Sequence, residues 1–421
     1  MATSDLDTEP RAVARAWILE SGEAGSQGSQ ADGVSVWGLS ARERLRRGLE
    51  RAGAEAIDEL TRDAPPPPPQ PGTCVLIRGD YFYDERLISG LLGTRNVVLV
   101  SQVPGEEDAV TLAASVDGSQ LAAAIDMVRG GEPAPKEATG AGLRSVAPLD
   151  LAPAYNPALR KHDPPFIYRA RAEEVRQIEN RIFAASYKGA TDLVTKWLLP
   201  LPARAVTRRL AARGVRPNTV TAISYVLALL VIGLFYQGYF AAGLVAGWLM
   251  SFLDTVDGKL ARVTLTSSKL GGALDHGLDL VHPPIWWAAW AYGLAADLHG
   301  VELLMWIIVG GYLAGRLLEG VFLAAFKFEI FVWRPFDAFF RTIIARRNPN
   351  LLLLTAGVLY GRPGDGYAAV AVWTLVCIAV ALARIVQAFR LKRAGVAIRP
   401  WQDENQLGTG PDPGAKSAHA T

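Results

Sequence analysis

Four aspartates stand in two pairs, Asp254 with Asp257 and Asp275 with Asp279. The first pair is spaced i, i+3 and the second i, i+4, so each pair shares one face of a helix and the two faces can converge. Carboxylates in or beside apolar segments are costly, which requires that they face a polar interior and share a compensating partner. Converging carboxylates repel unless positive charge sits among them, and all-oxygen ligation suits magnesium or manganese. Gly258 and Ala261 follow on the face of the first pair, and Gly271 lies one turn before Asp275; such small residues leave backbone open to a flat, bulky ligand. Arg262, next to that opening, is suited to hold a phosphate by paired hydrogen bonds. A metal-bound diphosphate, with a carboxylate near enough to deprotonate a hydroxyl, is what phosphoryl-type transfer requires. An inert polar network or an ion pathway also places acids in apolar segments, but neither requires the Gly-x-x-Ala-Arg insertion. His276 and His282 flank the region, where a metal or base role competes with hydrogen-bonded packing.

The elements that carry these residues are apolar segments of about 20 residues, the length that crosses a bilayer as a helix. They fall at about 219–238, 240–262, 270–296, 301–326, 349–362 and 366–389, the fifth being the shortest. Six crossings put both ends on one side. Arg204, Arg208, Arg209, Arg213 and Arg216 precede the first segment. Lys327, Arg334, Arg341, Arg346 and Arg347 lie between the fourth and fifth, and Arg390, Lys392 and Arg393 follow the sixth. The positive-inside bias therefore puts the N-terminal half, the tail and the basic connection in the cytoplasm of an inner or cytoplasmic membrane. Asp192 to Arg213, apolar then basic, reads as a helix lying along the inner surface. Arg316 and Glu319, at i and i+3, form an internal ion pair or line an acceptor pocket. The basic connection suits an acceptor's phosphate, lipid headgroups, or topology alone.

Composition changes near residue 190, and the first half reads as a cytoplasmic α/β domain. Strands are expected at Ala14–Leu19, Cys74–Ile77 and Val97–Val100, with helices at Ala41–Ala52, basic and amphipathic, and at Gln120–Val128. Pro65 to Pro69 makes an extended loop, and the tail after Trp401 has the composition of a disordered segment. The division expected is 1–165 for the α/β domain, 166–216 for a linker and surface helix, 217–392 for six membrane helices, and 393–421 for the tail. Overall the fold class is a membrane all-α domain preceded by a cytoplasmic α/β domain. The polar, acidic opening Met1 to Glu9 is unlike a signal peptide. Cys74 and Cys377 are far apart and give neither a disulfide framework nor zinc spacing. With 43 basic and 41 acidic residues, the net charge of +2 gives no reason to expect nucleic acid.

The pattern of two aspartates, a glycine, an alanine-arginine pair, a second glycine and two more aspartates resembles the signature of the CDP-alcohol phosphatidyltransferase family, and all eight residues match. The resemblance implies that Asp254, Asp257 and Asp275 ligate two metal ions, magnesium or manganese, and that Asp279 is the catalytic base and also approaches a metal. It implies that Gly258, Ala261, Arg262 and Gly271 contact the CDP part of a donor, with Pro217-Asn218 and Thr221 near the nucleotide site. The expected reaction moves a substituted phosphate from CDP-diacylglycerol or a CDP-alcohol to the hydroxyl of a polar or lipid acceptor. Membrane lipids surround the enzyme, and a homodimer fits both the resemblance and the small-residue-rich spans. The rival from another class is a noncatalytic protein that binds CDP-lipids or conducts ions. The N-terminal half resembles sugar-nucleotide and inositol-phosphate cytidylyltransferase domains, but its Ser21 to Gly33 loop lacks the glycine and basic pattern that grips a triphosphate. Asp80 is the one good metal-ligand candidate there, so the domain is expected to be degenerate.

Overall fold

The computed structural model describes residues 14–20, 33–131, 142–267, 269–295 and 298–404; the side chains of 14, 269–271, 273–276, 278, 279, 403 and 404 are outside that description. Strands β1 (Ala14–Leu19), β2 (Ala56–Leu60), β3 (Thr73–Arg78), β4 (Val97–Gln102), β5 (Ala109–Asp117) and β6 (Arg144–Val146) form a mixed sheet in the order β2-β1-β3-β5-β4-β6. β1 runs parallel to β2 and β3, β5 is antiparallel to β3 and β4, and β6 is parallel to β4. Side chains alternate across a strand. Ala16 and Ile18 therefore enter one core with Leu45, Leu49 and Val75, while Trp17 and Leu19 enter another with Cys74, Leu121 and Ile125. Helices α1 (Ala41–Ala52) and α2 (Glu85–Gly93) cover the first face and α3 (Leu121–Gly130) the second, which is why β3 is buried at every position.

Local chemistry sets the ends of α1. The Ser40 hydroxyl accepts a hydrogen bond from the Glu43 amide at 3.2 Å, and Gly53 closes the helix at φ 94°, a conformation glycine adopts without a side-chain clash. Pro65 to Pro69 lies outside helix and strand, as expected. Most of the Ser21 to Gly33 loop and the tail from 405 fall outside the described residues. Within the stretch read as linker, Ile167–Arg169 pairs antiparallel with Tyr81–Tyr83, so it is part of the α/β unit.

Next come α4 (Val175–Ala185), a π-helical turn at Val194–Leu198 and α5 (Pro200–Ala212). The surface helix expected over Asp192 to Arg213 is thus two pieces, because Pro200 lacks an amide hydrogen and starts a new helix. Trp197, Leu198 and Leu201 face outward, while Ala203, Thr207 and Ala211 are buried. The helical half then contains α6 (Pro217–Tyr236), α7 (Phe240–Val263), α8 (Lys269–Leu294), α9 (Val301–Phe326), α10 (Pro335–Ile343), α11 (Arg347–Leu359) and α12 (Pro363–Arg393). Among the described residues, four helices are long and apolar enough to cross a membrane: α6, α7, α9 and α12. The fifth apolar stretch forms the 13-residue α11, which at 1.5 Å per residue spans about 20 Å, short of a hydrocarbon core.

An aromatic centre binds the bundle. Phe235 meets Trp286 and Trp290 edge-on at centroid distances of 6.3 and 4.7 Å, and the Tyr367 hydroxyl donates to the Trp287 carbonyl at 2.8 Å. The outward faces carry exposed Val226, Leu229, Leu303, Trp306, Leu317 and Val372, apolar surface of the kind lipid covers. A further core joins the halves of the chain: Trp37, Phe82, Ile182 and Phe183 are in one cluster with Val220, Val256, Leu260 and Val263. The α/β unit is therefore packed onto α7 rather than tethered to it.

Candidate active site

Helix α7 carries Asp254, Asp257, Gly258, Ala261 and Arg262, and α8 carries Gly271, Asp275 and Asp279. The side chains of Gly271's neighbours Asp275, His276 and Asp279 lie outside the described residues, so the geometry below is that of the α7 half. Asp254 opens onto a cleft of about 390 Å³ whose wall also includes Thr255, Gly258, Arg262, Leu280 and Pro283. Its Oδ2 accepts from Arg347 Nη2 at 2.5 Å, and both side chains are largely buried. Asp257, three residues on, is 5% exposed and accepts from the Thr221 hydroxyl at 2.7 Å. Thr221 was expected near the nucleotide site, and it is one hydrogen bond from a motif aspartate.

Arg262 borders the cleft and folds back, its Nε donating to the Gly258 carbonyl at 3.1 Å. A Cβ placed on Gly258 would stand 3.1 Å from Arg262 Nη2, so a side chain there would press on the guanidinium. Lys259, in the middle of the motif, points elsewhere. It is buried, its Nζ donates to the Ser186 carbonyl at 3.0 Å, and it sits 3.2 Å from the Tyr187 ring centroid. Such a buried ammonium needs partners of this kind. Burial in turn pushes the Tyr187 phenol up to about 12, against the lowering effect of Arg262.

The opposite wall is basic. Arg160, Lys188, Arg316, Arg341, Arg346 and Arg347 line it, alongside Glu319 and Glu329. The expected pair Arg316–Glu319 forms at 2.5 Å, and Arg346 Nη2 adds contacts of 2.9 and 2.7 Å to the same carboxylate. Arg160 is paired with Glu329. Arg341 stands over the Phe331 ring at 5.5 Å, and its buried Nη1 has no hydrogen-bond partner among the described residues. Burial and then Arg346 hold Arg341 down at about 9, a guanidinium whose charge an anion would stabilise. Of the five basic residues in the connection, Arg341, Arg346 and Arg347 line the cleft; Arg334 stacks near Trp333, and Lys327 closes α9.

Sequence reasoning missed Asp192, Thr195 and Asn348, which brace this wall. Asn348 Nδ2 donates to Asp192 Oδ1 at 3.0 Å, and Ser251 on α7 donates to Asn348 Oδ1 at 2.5 Å. Their only local signal is the polar start of an otherwise apolar segment. His282 is buried beside Trp286, with Nε2 3.5 Å from Arg347 Nη1, a packed position behind the cleft.

The chemistry of the donors would suit a hard divalent cation: Asp254 and Asp257 carry carboxylate oxygens on one helix face, with Asp254 at the cleft. In the α/β unit, by contrast, both carboxylate oxygens of Asp80 are engaged by Arg78, at 3.1 and 2.8 Å, and both residues are buried.

A membrane-embedded helical region with two motif helices beside a basic cleft defines the class. Residues 215–345 match the model of the CDP-alcohol phosphatidyltransferase family, and this stretch, α6 to α10, is a domain of that family. Over 79 residues the chain is 39% identical to archaetidylinositol phosphate synthase of Pyrococcus horikoshii. That similarity takes in 18% of this chain and 42% of the relative, so the chain spans about two fifths of the length of the curated relative it matches.

Proposed function

We propose that the chain is a membrane transferase that moves a substituted phosphate from a CDP-activated donor to a hydroxyl, with release of CMP. The observation that carries this reading is the placement of Asp254, Gly258 and Arg262 together on one edge of a basic cleft within the family-matched region. Asp254, Asp257, Asp275 and Asp279 would hold two divalent ions, magnesium or manganese, which when bound neutralise charge on the donor's diphosphate. Gly258, Ala261, Arg262 and Gly271 would seat the CDP moiety. Asp279 takes the proton from the acceptor hydroxyl, whose oxygen then bonds to the β-phosphorus. The bond from that phosphorus to the bridging oxygen breaks, CMP leaves with the electron pair, and a phosphodiester remains.

For the acceptor, the relative is named for making archaetidylinositol phosphate. The cleft wall of Arg160, Lys188, Arg341 and Arg346 supports the same class here, a polyol that already bears a phosphate, with CDP-diacylglycerol or a similar CDP-lipid as donor. α8, 26 residues long, and α11, about 20 Å long in a locally thinned bilayer, would complete six crossings, with both ends and the basic connection in the cytoplasm. A homodimer belongs to the proposal on the small-residue content of the spans. The α/β unit is read as a degenerate nucleotidyltransferase-like domain, supported by the engagement of Asp80 by Arg78.

The test is purified protein in detergent with magnesium, a panel of CDP donors, and phosphorylated and unphosphorylated polyols, with products identified by mass spectrometry. A lipid phosphodiester carrying the phosphorylated polyol is expected. Coupling to unphosphorylated polyols only would overturn the acceptor assignment, and no coupled product from any pair would overturn the transferase.

A further inference from the structure

Helix α7 ends against the α/β unit. The last carbonyls of a helix have no partner within it. Here the Leu260 carbonyl accepts from the Thr264 amide at 3.0 Å and its hydroxyl at 2.7 Å, and the Ala261 carbonyl from the Thr266 amide at 2.9 Å. The Arg262 carbonyl accepts from the Leu265 amide at 3.4 Å, and the two carbonyls after it are taken from far away in sequence. Arg44 Nη1 donates to the Val263 carbonyl at 2.6 Å and Arg47 Nη1 to the Thr264 carbonyl at 3.0 Å, both from α1. Cations at this position also complement the negative end of a helix.

The contact is built into the core. Arg44 is 6% exposed; burial lowers its affinity for a proton to about 10, opposed by the charges of Glu85 and Asp84. Ala41 and Phe82 of the α/β unit share a buried cluster with Val256, Leu260 and Val263 of α7. Leu265 is buried at φ 57°, a strained conformation for a leucine, and lines one small cavity with Ala41, Leu45, Phe82 and Ile88. Such a backbone persists where its surroundings hold it. The segment so held joins α7, with Asp254 and Asp257, to α8, with Asp275 and Asp279.

We propose that the α/β unit is a positioning domain for the transferase centre, in which Arg44 and Arg47 clamp the turn between α7 and α8 and so fix the spacing of the two aspartate pairs. This rests on the reading of those aspartates as the catalytic centre. It requires no chemistry from the α/β unit itself, and it explains why a unit whose Asp80 is engaged by Arg78 is packed against the motif helix.

The test compares the full chain in detergent with an Arg44→Met/Arg47→Met variant and an Arg44→Lys/Arg47→Lys variant. Hydrogen exchange over residues 260–267 reads the turn without reference to activity, and CMP release at varied donor concentration reads the centre. In the methionine variant, exchange over 260–267 is expected to rise about tenfold while β3 and β5 keep their protection. kcat is expected to fall about tenfold or more, with donor KM within about twofold, and the lysine variant is expected to recover most of both. Wild-type exchange and kcat in the methionine variant would overturn the proposal, as would exchange rising equally through the whole α/β unit. If the wild-type chain releases no CMP from any donor, the transferase reading fails, while the exchange arm still decides whether the arginines hold the turn.

Discussion

Arg347 and Asp254 are joined across the cleft, Nη2 to Oδ2 at 2.5 Å, so the start of α11 is tied to the first motif aspartate. Arg347→Met removes the guanidinium from a largely buried charge pair at the motif helix and should lower kcat/KM about 100-fold, about 2.7 kcal/mol of transition-state stabilisation. Arg347→Lys keeps the charge without the planar fork and should fall between. Steady-state CMP release by the two variants checks this, and equal activity of Arg347→Met and wild type would detach Arg347 from the site.

Thr221 reaches the motif helix through Asp257, to which its hydroxyl donates at 2.7 Å. Thr221→Val keeps the shape and removes the donor. Partners of this kind are worth about 10–100-fold in metal affinity, so the magnesium concentration for half-maximal CMP release should rise by about that factor. Thr221→Ser should restore it.

Arg341 has a buried Nη1 without a hydrogen-bond partner among the described residues, on the basic wall of the cleft. Arg341→Gln should therefore raise KM for a phosphorylated acceptor at least about tenfold, a charged hydrogen bond being worth about 1.5–3 kcal/mol. KM for the CDP donor should change little. A rise confined to the donor would place Arg341 on the wrong subsite.

Asp337 on α10 and Arg384 on α12 form a paired contact of 2.7 and 2.7 Å, with Arg384 also 4.3 Å from the Trp333 ring centroid. Burial raises the Asp337 carboxyl even though Arg384 opposes the shift, so the pair is a structural lock rather than a reserve of stability. Arg384→Met leaves a buried carboxylate behind and should cost about 3–5 kcal/mol. Thermal unfolding in detergent reads this as a lower midpoint, and the double variant Arg384→Met/Asp337→Leu should recover much of it.

What the sequence made legible follows from range. The strand Ala14–Leu19 and the helix Ala41–Ala52 are written in local periodicity and caps and stand where they were expected, and the strand read at Val97–Val100 runs on to Gln102. Asp254, Gly258 and Arg262 were legible because one helix presents them at fixed spacing. Arg44 and Arg47 were visible only as the basic face of an amphipathic helix, since their acceptors lie more than two hundred residues away and leave no local trace. Lys259 was hidden inside the motif, where nothing local shows that it turns toward Ser186 and Tyr187. Arg346 and Arg347 read as topology signals because positive residues beside apolar segments serve that purpose by default. The single helix read over Asp192 to Arg213 is instead a π turn followed by a helix that begins at Pro200, a detail that hydrophobic periodicity does not encode.

The central claim is that the four aspartates form a metal-dependent transferase centre. The most direct measurement is CMP release from a CDP-lipid donor by the purified full chain, with magnesium, with chelator, and with Asp254→Asn and Asp279→Asn variants of confirmed fold. The account predicts release with magnesium, loss with chelator, and a fall of at least about 1,000-fold in each variant, the scale on which losing a metal ligand or a general base acts. Release that persists in chelator, or in both variants, would contradict it.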